Sequence, residues 1–200
     1  MSFIKVINYE NAKGKLKKIY DRIKGPNNHI DHVLTIHSLR PHTLEGHMAL
    51  YKSVLHHTQN TLPKWYLETI GAYISQLNHC DYCKEHHAVG IQKNLNDPGK
   101  YNQILTAMQT DDFSKVLDEK FSAGMAYAIK LTNDHHNITK TDIEKLRKVG
   151  LTDGEILEIN QVTAYFNYVN RSVVGLGVTL EDGNIGLSPS SDEEGDWGHV

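Results

Sequence analysis

The stretch from Glu68 to His87, ETIGAYISQLNHCDYCKEHH, constrains the fold more than any other part of the chain. It holds both cysteines, Cys80 and Cys83, with His79, His86 and His87, and a glutamate twelve residues ahead of the first cysteine. Upstream of the cysteines, Tyr66, Ile70, Tyr73, Ile74 and Leu77 recur at helical spacing. That helix is opened by Thr61-Leu62-Pro63, with proline in the first turn, where its missing N–H costs nothing. Downstream, Cys80, Cys83, His87, Ile91 and Leu95 fall along one face of a second helix, ended by Asn96-Asp97-Pro98-Gly99. As one straight helix, the stretch would hold Glu68 and Cys80 about 18 Å apart, too far to interact. Asn78-His79 breaks the pattern, and Asn78 can cap a new start. A chain that folds back there brings Glu68, ten residues before the break, level with His87, nine after it.

The remaining chain reads as helical scaffold. Ala12, Leu16, Ile19 and Ile23 make a first helix, stopped by Gly25-Pro26. Val33 to Ile36 is a helical turn or two, and Leu44, Met48, Tyr51 and Leu55 mark a helix entered after Pro41, with Met48 and Tyr51 read as core. Ile104, Leu105 and Met108 predict a short helix, and Phe113, Leu117, Phe121, Gly124, Ala128 and Leu131 a longer one. Thr141-Asp142 is expected to cap a helix ended by Gly150. Thr152 with Glu155 forms a capping box opening a long helix over Ile156, Ile159, Thr163, Phe166 and Val173. No strand pattern of any length is present. The reading is all-α: one domain over residues 1–180, and a flexible acidic tail over 181–200 that carries Trp197.

Composition narrows the function. Twenty-one basic against 24 acidic side chains leave a net charge of −3, which gives no electrostatic case for nucleic acid or an anionic membrane. No apolar run approaches the roughly 20 residues of a membrane span, and the N-terminus lacks a signal-peptide pattern. The expected location is cytoplasmic, where a close cysteine pair points to redox chemistry or metal rather than a structural staple. Thirteen histidines are many; pairs such as His56-His57 and His135-His136 lie in polar surroundings and are expected at the surface.

Two cysteines three apart at a helix start lie within disulfide reach. Free N–H groups and the helix dipole there lower a thiol pKa. A thiolate attacks a peroxide oxygen to give a sulfenic acid, which condenses with a neighbouring thiol to a disulfide. His87 sits one turn after Cys83 and can take its proton; His86 is the weaker choice. Tyr82, between the cysteines, can donate a hydrogen bond to a bound peroxide. Glu68 shares a stripe with Gly71, Ala72 and Ser75, small residues that admit a close helix. It is either a solvated surface glutamate or one buried in that seam, where it would orient His87. Two other readings stay open from the residues alone: zinc held by Cys80, Cys83, His87 and Glu68, and two cysteines buried as small hydrophobes.

Glu68, eleven residues, Cys80, two, Cys83, three, then His87 resembles the E-x11-C-x2-C-x3-H pattern of AhpD-like alkylhydroperoxidases, in the carboxymuconolactone decarboxylase-like superfamily. The Cys-Asp-Tyr-Cys form, Ser38-Leu39-Arg40-Pro41 and Phe166-Asn167-Tyr168-Val169-Asn170-Arg171 are similar to its peroxidase-related subgroup. AhpD proper has histidine where this chain has Tyr82. The resemblance covers about residues 10–180. It implies an all-helical fold, a homo-oligomer, and a cofactor-free thiol peroxidase that acts on a hydroperoxide and is reset by an external dithiol. It implies Cys83 as attacking thiol, Cys80 as resolver, and Glu68 and His87 as proton relay. The alternatives are a decarboxylase-type lyase and a non-catalytic redox sensor.

Overall fold

In the computed structural model, which describes residues 2–183, 185 and 186, the chain forms nine α-helices and no strand among the described residues. They are α1 (Gly14–Ile23), α2 (His32–Thr35), α3 (Pro41–Tyr51), α4 (Lys64–Leu77), α5 (Asp81–Leu95), α6 (Pro98–Thr110), α7 (Glu119–Asn133), α8 (Lys140–Lys148) and α9 (Asp153–Gly175). A wider π-type turn, Lys52–His56, extends α3. None of these helices is long and apolar enough to cross a membrane.

The spacing of Leu16, Ile19, Tyr20 and Ile23 gives α1 one apolar stripe, and all four are buried. With Leu34, Leu44 and Met48 they form a small N-terminal core. The larger core is built on α4, whose residues from Tyr66 to Ser75 are all buried. A helix buried on every side must meet neighbours all round, and α4 packs against α5, α7 and α9. Val33 and Tyr51 touch both cores, so the seam between the cores runs past α2 and the end of α3.

The expected reversal is present. The α4 helix ends at Asn78, and His79 takes a left-handed conformation at φ 54° that turns the chain back. The cap is placed differently from the expectation. Asn78 closes α4, where its side-chain amide donates to the side-chain oxygens of Asn167 and Asn170 on α9, and Cys80 is the residue that precedes α5. The small-residue stripe does admit a helix. A methyl group on Gly71 would collide with the Phe166 ring of α9.

Three other boundaries are corrected by capping chemistry. Asp97 accepts from the Lys100 N–H and Pro98 stands at the first position, so α6 begins there instead of near Ile104. Asp118 accepts from the Phe121 N–H, so α7 starts at Glu119; Phe113 and Leu117 are buried in the turns before it. Thr139, not Thr141, caps α8, with Asp142 completing the box. The Thr152–Glu155 box forms as expected.

The first residues of the segment expected as a tail pack against the body. The Glu181 side chain is 4% exposed, and Gly186 is buried. Trp197 and the rest of the expected tail lie outside the described residues. Gly71→Ala is predicted to destabilise the fold by about 1–3 kcal/mol through overpacking against Phe166, read as a lower midpoint in chemical denaturation.

Candidate active site

Glu68, on α4, is 2% exposed, which settles the open choice in favour of the seam. Its Oε2 accepts a 2.6 Å hydrogen bond from His87 Nδ1 on α5. A glutamate can occupy this dry position because the facing residue is Gly90: a Cβ there would lie 2.5 Å from Oε2. The bond places the His87 proton on Nδ1 and leaves Nε2 as the basic nitrogen. Phe166 meets the imidazole edge-on at 4.6 Å between ring centroids, fixing its plane. Glu68 Oε1 lies 4.0 Å from His56 Nε2. His56, expected at the surface, is 4% exposed, because the π-type turn swings it inward. The sequence offers no cue for that turn.

The thiols form a second group. Cys80 and Cys83 are both buried and reduced. They hydrogen-bond to each other, and the Asn170 side chain of α9 hydrogen-bonds to both. The direction of that amide is set by its other partners. Asn78 Nδ2 donates to Asn170 Oδ1 at 3.0 Å, and Asn170 Nδ2 donates to Ser75 Oγ at 3.0 Å. The carbonyl side is thus taken by Asn78, and the N–H side faces the sulfur atoms. Asn170 is fully buried, so its donor acts in a low dielectric where it favours charge strongly.

The pair titrates in two coupled steps. The Cys80 thiol is lowered, chiefly because the Cys83 thiol hydrogen-bonds to it, with the Cys83 backbone N–H and Asn170 adding to that effect against burial. The Cys83 thiol is pushed up by its bond to Cys80 and by burial. Cys80 is therefore the more easily ionised of the two sulfurs, and a second negative charge is disfavoured. Position separates them further: Cys83 lines a half-open cavity of about 50 Å³, whose wall also includes Glu68, His87, Tyr51 and Tyr165. Tyr51, read as core, is thus also cavity wall, its ring 4.7 Å from that of His56 and 6.0 Å from that of Tyr165.

Tyr82 has other work than the one expected of it. Its hydroxyl donates to Glu181 Oε1 at 2.7 Å and accepts from the Val33 N–H at 3.2 Å. It lines the cavity, its ring stacked on His86 at 4.4 Å. His86 donates from Nε2 to Glu181 Oε2 at 2.9 Å and accepts the Gly186 N–H on Nδ1 at 3.1 Å. These donors hold the Glu181 carboxyl down at about 2 against its burial. The structure thus gathers Glu68, His87 and Cys83 around one cavity, with Cys80 beside Cys83. The four residues weighed for zinc face different partners. Among the described residues, a convergent set of possible metal ligands is instead His29, Asp31 and Glu181. There His29 Nε2 bonds Asp31 at 3.1 Å, and both Glu181 oxygens are occupied by N–H and O–H donors.

Nothing local in the sequence marks Asn170 or Glu181 as site residues; Asn170 stands only as part of Phe166-Asn167-Tyr168-Val169-Asn170-Arg171. Asn170→Ala is predicted to raise the midpoint of the first thiol ionisation, followed by the ultraviolet absorbance of the thiolate. An unchanged midpoint would remove Asn170 from the site.

No protein-family profile matches the sequence, and no curated protein matches it. Solved structures do. A peroxidase-related protein from Ralstonia eutropha JMP134, described as an alkylhydroperoxidase AhpD core, matches with a TM-score of 0.74 at 21% identity, over 90% of this chain and 93% of that one. A peroxidase-related protein from Silicibacter sp. TM1040 matches with a TM-score of 0.67 at 24% identity, over 78% and 79%. The debrominase Bmp8, as a variant in complex with 2,3,4-tribromopyrrole, matches with a TM-score of 0.67 at 14% identity, over 91% and 95%. With its helices, its reversal at His79 and these likenesses together, the chain is an all-α protein of the AhpD-like fold.

Proposed function

We propose that the protein is a thiol peroxidase that reduces hydroperoxides with Cys83 and Cys80. The observation that carries this reading is the arrangement of a buried, reduced cysteine pair beside a cavity whose wall also holds a glutamate-oriented imidazole. Cys83 is the attacking sulfur because it lines the cavity.

In the first step the Cys83 proton goes to His87 Nε2, across the cavity, and Glu68 stabilises the imidazolium through Nδ1–H. The thiolate attacks the terminal peroxide oxygen, the O–O bond breaks, and Cys83 becomes a sulfenic acid. The departing alkoxide or hydroxide takes the proton back from His87. In the second step Cys80 attacks the Cys83 sulfur; the S–O bond breaks, and the leaving hydroxide takes the Cys80 proton as water. Two thiols and one ROOH give one disulfide, one ROH and one water. An external dithiol restores both thiols. The likeness to peroxidase-related proteins supports this reading at the level of fold.

The test is a thiol count after one equivalent of hydrogen peroxide. Wild type should lose both thiols and form an intramolecular disulfide. Cys80→Ser should stop at a sulfenic acid on Cys83, trapped by dimedone and located by mass spectrometry. Retention of both thiols in wild type would refute the proposal. A lyase of the decarboxylase type would instead keep its activity in Cys83→Ser.

A further inference from the structure

The chain beyond α9 is fixed beside the cavity at two anchors. The first is Glu181. Its carboxylate accepts from the His32 backbone N–H at 2.6 Å, from the Tyr82 hydroxyl at 2.7 Å and from His86 Nε2 at 2.9 Å. His32 also bonds the Thr179 carbonyl through Nδ1 at 2.7 Å. One acidic side chain thereby ties the segment after α9 to both α2 and α5. The second anchor is Gly186, which forms part of the cavity wall. Its N–H donates to His86 Nδ1, and its carbonyl accepts from Lys93 Nζ at 3.1 Å. Its φ of 70° lies in the left-handed region, and a Cβ there would meet Val89 at 2.5 Å, so glycine alone sits this close to α5. Both nitrogens of His86 are held, one by each anchor.

Gly186 is cavity wall, Glu181 holds the wall residues Tyr82 and His86 in place, and the cavity is small. About 50 Å³ is space for a few waters, since one water needs roughly 10–15 Å³ on the same measure. Hydrogen peroxide or a short-chain hydroperoxide fits beside Cys83. An aryl or fatty-acid hydroperoxide does not. We infer that Glu181 and Gly186 set the substrate class of this site, restricting it to hydrogen peroxide and short-chain hydroperoxides. This rests on the peroxidase reading above and adds a size limit to it.

The test compares rates of thiol loss with hydrogen peroxide and with cumene hydroperoxide, each normalised to its rate with free cysteine. Full-length wild type, Glu181→Ala and Gly186→Val are compared. Wild type should favour hydrogen peroxide by at least about tenfold, the discrimination a shaped apolar pocket can supply. The preference should fall toward unity in both variants, through a gain with cumene hydroperoxide. Gly186→Val leaves the Glu181 carboxylate in place, so it tests closure of the cavity apart from loss of a buried charge. Equal normalised rates in wild type, or a preference untouched in both variants, would overturn the size limit and leave the peroxidase reading standing. Loss of no thiols with either peroxide would instead overturn the peroxidase reading itself.

Discussion

The structure depends on one hydrogen bond to a buried carboxylate, the 2.6 Å contact between Glu68 and His87. A carboxylate in a dry seam is costly unless its oxygens are satisfied. Everything around it provides for that. The left-handed His79 turns α5 back along α4, Gly90 leaves room for the carboxylate, and Phe166 holds the imidazole in plane. Gly71 lets α9 close enough for Phe166 to arrive. The scaffold and the site are therefore one packing problem. The helix that carries Glu68 is buried by α5, α7 and α9 together.

A second polar system, built from α9, serves the sulfurs. Asn78, Asn170 and Ser75 form a buried chain of amide and hydroxyl contacts whose remaining donor faces the cysteine pair. Fully satisfied networks of this kind specify one arrangement of a core. Here the arrangement divides two jobs. In the proposed reaction the Asn170 side stabilises charge on sulfur, and the Glu68 side accepts and returns the proton. The cavity between them is where the two meet, at the seam of the two hydrophobic cores.

Much of this was legible in the sequence, for a local reason. Glu68, Cys80, Cys83 and His87 lie within twenty residues of one another, so helical periodicity and one break fix their relative positions. The level of Glu68 with His87 followed from counting residues on either side of Asn78-His79. What sequence could not supply came from contacts between distant segments. Asn170 is ninety residues from Cys80, and Glu181 is ninety-eight from Cys83. Glu181 read as the edge of an acidic tail, because composition reports the average of a segment and not the one residue whose partners bury it. His56 failed similarly: a polar neighbourhood suggested the surface, and a π-type turn reversed it. Tyr82 was placed correctly between the cysteines, but the partner that takes its hydroxyl lies at the far end of the chain. The helix boundaries that moved did so at caps, where Asp97, Asp118 and Thr139 outweighed the apolar pattern.

The central claim is that Glu68 acts on the sulfur pair through His87. The most direct measurement is the second-order rate of thiol oxidation by hydrogen peroxide in wild type and in Glu68→Gln, each at its pH plateau. The amide is nearly the same size but cannot stabilise an imidazolium. The account predicts a fall of about a hundredfold, the usual scale of general acid–base assistance. An unchanged rate in a folded Glu68→Gln protein would contradict it.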